Sequence, residues 1–219
     1  MSTKSIHESM PILIAGAPLD KAKAAIVMLH GRGAPPDDMI GLAGEFGPGL
    51  ASMVSYVAPT AAGREWYPYR FMDVTDSTEL HLVSALNKVS QALDQVAAAG
   101  IPQSRTVILG FSQGACLALE YAARNGLQCG AVIALSGGLI GKTLDPARYH
   151  GPLNDLPVFI GCSDIDVHIP LTRVQESSAL FRTLGAVVTE RIYPRMGHTV
   201  NADEIDFAQK ILSGLVSAV

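Results

Sequence analysis

Six short runs of β-branched and apolar residues punctuate the chain: Ala25–Leu29, Met53–Val57, Thr106–Leu109, Ala131–Leu135, Pro157–Ile160 and Val187–Tyr193. Most carry no polar alternation, which is the pattern of strands buried on both faces of a sheet. Between them the apolar period lengthens. From Asp76, with Glu79 three residues on in a capping-box arrangement, Leu82, Leu86, Val89, Leu93 and Val96 recur at spacings of three or four until Gly100-Ile-Pro102 stops the pattern. This predicts an amphipathic helix. Further helices are expected over Gly114–Arg124, Leu171–Leu184 and Asp203–Val216.

Strands alternating with helices require crossover connections, and crossovers imply a mainly parallel sheet covered on both faces. The expected fold is α/β, a three-layer α/β/α sandwich in one domain spanning residues 1–219, with no large lid domain. The Pro/Gly-rich stretch Gly31–Pro36 reads as a loop between elements.

Composition narrows the function. The chain has 219 residues, of which 48% are hydrophobic and 16% charged, enough apolar material for one sizeable core. A formal charge of −4 offers no basic surface for a nucleic-acid backbone, so nucleic acid is not an expected partner. No apolar h-region opens the chain and no run is long enough to span a membrane, which points to a cytoplasmic protein. Cys116, Cys129 and Cys162 are too far apart to cage zinc and are expected to be reduced and buried. The six histidines show no metal-ligand spacing, and neither a dinucleotide nor a Walker-type loop occurs, so no cofactor is expected.

Chemistry enters at Gly110-Phe-Ser-Gln-Gly114, a G-x-S-x-G pattern. With 21 glycines in the chain the pattern alone is modest evidence. Its setting adds weight, because a buried strand precedes it and the helix-forming run Ala115–Ala123 follows, the strand-turn-helix context in which such a serine is exposed. Ser112 is therefore the candidate nucleophile. A serine hydroxyl needs a general base, and the base needs an orienting carboxylate. In this type of fold both follow the serine in the chain. His198, in the loop Pro194-Arg-Met-Gly-His198 after the last strand, is the candidate base. His168 reads as a loop residue near the site and His150 as a solvated one. The acid is Asp164 or Asp166: spacing from Gly161 favours the first, spacing back from Pro170 the second. The aspartate left over is expected to cap a turn or accept loop N–H groups.

An oxyanion needs backbone donors. The N–H of Gln113 supplies one by its position after the serine. Leu29-His-Gly-Arg-Gly33, directly after a core strand, supplies the other at the N–H of Arg32. His30 precedes the serine and reads as a loop brace. Trp66, Tyr67, Tyr69 and Phe71 concentrate rings in a chain that is 6% aromatic, and Trp66, Tyr67 and Phe71 are candidate walls of a substrate pocket. Arg64 and Arg70 could meet an anionic substrate group.

Taken together, Leu29–Gly33, Gly110–Gly114, Asp166-Val-His-Ile-Pro170 and Gly197-His198 resemble the phospholipase/carboxylesterase family of α/β-hydrolases, which includes the acyl-protein thioesterases. The resemblance implies a Ser112, Asp166, His198 triad with the Arg32 and Gln113 N–H groups as oxyanion hole, and so selects Asp166. Val167 stands where the family often has proline, and Arg64–Phe71 looks more like a bacterial carboxylesterase branch. The expected function is a serine carboxylesterase acting on small to medium acyl esters. The alternatives are an acyl thioesterase or lysophospholipase and, in another class, a non-catalytic binding protein on the same fold. An exposed apolar edge near the pocket would support a homodimer.

Overall fold

The computed structural model describes residues 6–73 and 79–217. Its elements run β1 (Ile12–Gly16), β2 (Ala24–Leu29), α1 (Pro36–Ala43), α2 (Pro48–Ala51), β3 (Val54–Pro59), α3 (Glu79–Ala98), β4 (Thr106–Phe111), α4 (Gln113–Asn125), β5 (Ala131–Leu135), β6 (Pro157–Ser163), α5 (Leu171–Thr183), β7 (Val187–Tyr193) and α6 (Ala202–Ser217). The strands form one seven-stranded sheet in the order β1-β3-β2-β4-β5-β6-β7. All neighbours are parallel except β1, which runs antiparallel to β3 with Ile12 opposite Pro59.

The apolar strands are alternating after all, between two cores rather than between core and water. Ala25, Val27 and Leu29 of β2 face the layer built by α3, α4 and α5, whereas Ala24, Ile26 and Met28 face α1 and α6. Both sets are fully buried, so each side of the strand demands a hydrophobe. The result is the expected α/β/α sandwich of an α/β-hydrolase fold, and among the described residues no separate lid domain stands over it.

Two expectations meet differences. β1 lies ahead of the six runs from which strands were expected; its half-exposed edge position asks for only a weak apolar signal. The helix expected from Asp76 is seen from Glu79, and Asp76 lies outside the described residues. The Glu79 carboxylate is held by Arg124 and Arg148.

Chain direction across the sheet sets the site. From β2 the chain moves outward to β3, then returns to the other side of β2 to form β4. The carboxyl ends of β2 and β4 therefore flank a topological switch point, where connecting loops diverge and leave a crevice.

Candidate active site

Ser112 sits between β4 and α4 at φ 55° and ψ −118°, a left-handed conformation unfavourable for a residue with a Cβ. Close backbone approach holds it there. A Cβ on Gly114 would fall 2.0 Å from the Leu29 carbonyl oxygen, and one on Gly110 would fall 2.2 Å from the Gly114 carbonyl oxygen. Only glycine permits the helix to start this tightly against β2 and β4. The Ser112 N–H donates to the Leu135 carbonyl at 2.9 Å, tying the turn to β5.

The hydroxyl faces His198. Ser112 Oγ lies 2.9 Å from His198 Nε2, and His198 Nδ1 lies 2.7 Å from Asp166 Oδ2. A carboxylate only accepts, so Nδ1 carries the proton toward Asp166 and Nε2 is left to accept from Ser112. Asp166 Oδ1 accepts the N–H groups of His168 at 2.8 Å and Ile169 at 3.0 Å. Burial works to raise the Asp166 pKa, but the bonds from His198, His168 and Ile169 outweigh it and hold the carboxyl below its ordinary value. Asp164 plays a different part: its Oδ1 accepts the Arg195 N–H at 2.7 Å, pinning the loop that carries His198. Ser163 Oγ joins the two loops by accepting from Ile165 and Gly197.

Beside Ser112 opens a cleft of about 390 Å³. Its walls are largely apolar, from Met39, Tyr67, Phe71, Phe111, Cys116 and Ile169, with Arg32, Asp38, Arg70 and His168 as polar points. Tyr67 and Phe71 both line it. Trp66 does not: it is fully buried outside the cleft wall, its Nε1–H donating to the His30 carbonyl at 2.9 Å. Arg70 reaches the cleft, whereas Arg64 is not part of its lining. The His168 ring stands edge-on to His198 at 4.7 Å between centroids, and His150 is exposed elsewhere.

The loop after β2 is brought alongside. Gly31 packs so close that a Cβ there would lie 3.4 Å from Ser112 Cβ. Gln113 opens α4, where leading N–H groups have no intrahelical acceptor. The Arg32 guanidinium is drawn off to Glu65 at 2.7 Å and to the Tyr69 carbonyl. The phospholipase/carboxylesterase profile matches residues 12–216, which takes in every one of these loops.

The chain belongs to that family. It is 40% identical to a phospholipase/carboxylesterase from Dyadobacter fermentans, whose crystal structure superposes with a TM-score of 0.87 over 93% of this chain and 97% of that one. Among curated proteins it is similar to acyl-protein thioesterase 1 of Gibberella zeae, at 30% identity over 58% of this chain and 53% of that protein. The chain thus spans about half the length of that relative. It is also similar to acyl-protein thioesterase 1 of Candida albicans, at 27% identity over 89% of this chain and 93% of that one.

Some residues that shape the site carry no sequence signal. The Gln113 side chain, buried beneath the Ser112 turn, accepts the Trp66 N–H at Oε1 (2.9 Å) and donates from Nε2 to the Tyr67 carbonyl (2.8 Å). Arg173 of α5 donates to the carbonyls of Leu139, Gly141 and Lys142 and stands 5.9 Å over the Phe71 ring. The three cysteines are free, and burial pushes each thiol up to about 12, away from the reactive thiolate. Among the described residues no helix is long and apolar enough to cross a membrane, and no group of side chains is arranged to hold a metal ion.

Proposed function

We propose that the protein is a serine carboxylesterase whose triad is Ser112, His198 and Asp166. The observation that carries this reading is the continuous hydrogen-bonded line from Ser112 Oγ through His198 to Asp166, at 2.9 and 2.7 Å, opening onto a cleft. In this reading His198 takes the Ser112 proton as Oγ attacks the ester carbonyl. The N–H groups of Arg32 and Gln113 receive the oxyanion. Collapse expels the alcohol, protonated by His198, and leaves an acyl-enzyme. Water then gives its proton to His198 and attacks the acyl carbon; as the acid departs, His198 returns that proton to Ser112 Oγ. Asp166 keeps the imidazole in the tautomer that accepts from serine and stabilises the imidazolium.

The cleft volume fits small to medium acyl groups, and the likeness to the Dyadobacter fermentans protein supports an oxygen ester. The curated relatives named acyl-protein thioesterase 1 support a second reading in which the same machinery cleaves a thioester. The test is a chain-length series of p-nitrophenyl esters and matched acyl thioesters with wild type and Ser112→Ala, alongside labelling by a fluorophosphonate probe. Turnover and labelling are expected to vanish with the hydroxyl. Unchanged hydrolysis by Ser112→Ala would sink the proposal, and a preference for thioesters would replace carboxylesterase by thioesterase.

A further inference from the structure

Behind the loop that carries Arg32 lie three rings that take no part in the chemistry just described. His30, Trp66 and His7 are all buried, with Trp66 stacked on His30 at 4.9 Å and met edge-on by His7 at 5.7 Å. Each histidine has its hydrogen bonding completed by backbone. His30 Nε2 accepts the Ala61 N–H at 3.2 Å while its Nδ1–H donates to the Gly31 carbonyl at 2.8 Å. His7 Nδ1 accepts the next N–H, that of Ala62, at 3.0 Å while its Nε2–H donates to the Trp66 carbonyl at 3.0 Å.

A neutral imidazole has one donor and one acceptor, and both rings are fully matched in that form. An imidazolium has two donors. Protonating either ring would set an N–H against the N–H of Ala61 or Ala62, beside a buried ring. The consequence reaches the site through short links. The segment these rings hold presents the Trp66 Nε1–H to the His30 carbonyl, the Trp66 N–H to Gln113 Oε1 and the Arg64 carbonyl to the Gly33 N–H at 2.7 Å. Those bonds flank both Arg32 and Gln113.

We propose that His7 and His30 are positioning residues that hold the Arg32 loop through Trp66, and that they do so only as neutral imidazoles. Its bearing on turnover rests on the esterase reading; the layer itself does not. The charged surroundings agree. His7 faces His81 and Lys88 of α3 and His30, all of which oppose a further positive charge. His30 faces Arg64, which opposes one, and Asp38 of α1, which favours one. Burial is the largest influence on both, and both lie below the ordinary histidine value of 6.5.

Trp66 is the one tryptophan in the chain, so its emission reports on this layer without any assay of activity. Protonated imidazole quenches indole emission. In the full-length wild type, and equally in Ser112→Ala, emission is expected to fall on acidification with a midpoint below 6.5 while far-UV circular dichroism holds. His7→Asn keeps an acceptor for Ala62 and does not titrate; it is expected to retain turnover near neutral pH and to lose part of the emission change. His7→Phe, which can do neither, is expected to lower kcat by about tenfold or more with a smaller effect on KM, as for a displaced catalytic group. Emission flat through the acid range, or changing only together with the circular dichroism, would overturn the proposal. So would a His7→Phe variant with wild-type kcat. Hydrolysis persisting in Ser112→Ala with a normal emission titration would instead remove the esterase reading and leave the layer standing.

Discussion

Asp166 Oδ2 stands 2.7 Å from His198 Nδ1, while Asp164, two residues earlier on the same loop, turns the other way to the Arg195 N–H. The two carboxylates therefore separate by role. Asp166→Asn removes the acceptor that fixes the His198 tautomer and leaves the geometry nearly unchanged, so kcat is expected to fall by about 10³–10⁴ with little change in KM. Asp164→Asn retains an oxygen for Arg195 and is expected to keep kcat within about tenfold of wild type. Steady-state kinetics on one p-nitrophenyl ester distinguishes them, and the reverse ranking would reassign the acid.

The Gln113 side chain ties the Ser112 turn to the aromatic segment through two buried hydrogen bonds. Gln113→Ala leaves the Trp66 N–H and the Tyr67 carbonyl without partners in the interior. A loss of about 2–4 kcal/mol in unfolding free energy is expected. Because the same bonds position the cleft wall beside Ser112, kcat should also fall by roughly tenfold to a hundredfold. Urea denaturation and kinetics on the same preparation check both; full activity would show that the clamp is dispensable.

These residues mark where the sequence was readable and where it was not. β4 and α4 could be read because an all-apolar strand running into Gly-x-Ser-x-Gly and a helix former has few other folds open to it. Asp164 and Asp166 could not be told apart by residues alone, because side-chain direction in an irregular loop follows no period. The family resemblance named Asp166, and the geometry has that residue touching His198. The aromatic segment shows the same limit. Clustering pointed to Tyr67, Phe71 and Trp66 together, yet Trp66 turns inward because its indole N–H finds the His30 carbonyl. His7 gave no signal, since its partner Trp66 is 59 residues away and the contact exists only after β2 and β3 assemble.

Gly110 and Gly114 serve the fold as much as the chemistry. A methyl group at either would meet backbone at 2.0–2.2 Å, where nothing flexible can give way. Gly110→Ala and Gly114→Ala are each expected to destabilise by more than about 3 kcal/mol and to yield little folded protein. Gly41 provides the contrast: it is an exposed helical position in α1 with nothing near a built Cβ. Gly41→Ala should stabilise by about 0.5–1 kcal/mol. Equal denaturation midpoints for the Gly41 and Gly114 variants would contradict the crowding argument.

Glu204 makes stability depend on pH from the opposite side to the histidine layer. It lies fully buried three residues into α6, where its Oε2 accepts the Asn201 N–H and Asn201 Oδ1 accepts the Glu204 N–H, each at 3.0 Å. This is a reciprocal cap on the helix that follows the His198 loop. Its Oε1 has no partner among the described residues and faces Gly161. Burial pushes the carboxyl up, the Asn201 N–H pulls it down and Asp203 pushes it up again, leaving it at about 7 against an ordinary 4.5. The folded state thus holds a proton that the unfolded chain releases. Below the unfolded value the contribution is full, and it is lost as pH rises through 7, by about 3 kcal/mol in all. Glu204→Gln stays neutral throughout. Relative to wild type it should be near-isoenergetic around pH 4 and more stable by a few kcal/mol around pH 8. His7 and His30 contribute in the reverse sense: their stabilisation is present above 6.5 and lost as pH falls through their depressed values. Both proteins carry those histidines, so the difference between variant and wild type in urea denaturation isolates Glu204, and a difference independent of pH would show that its carboxyl is ionised in the fold.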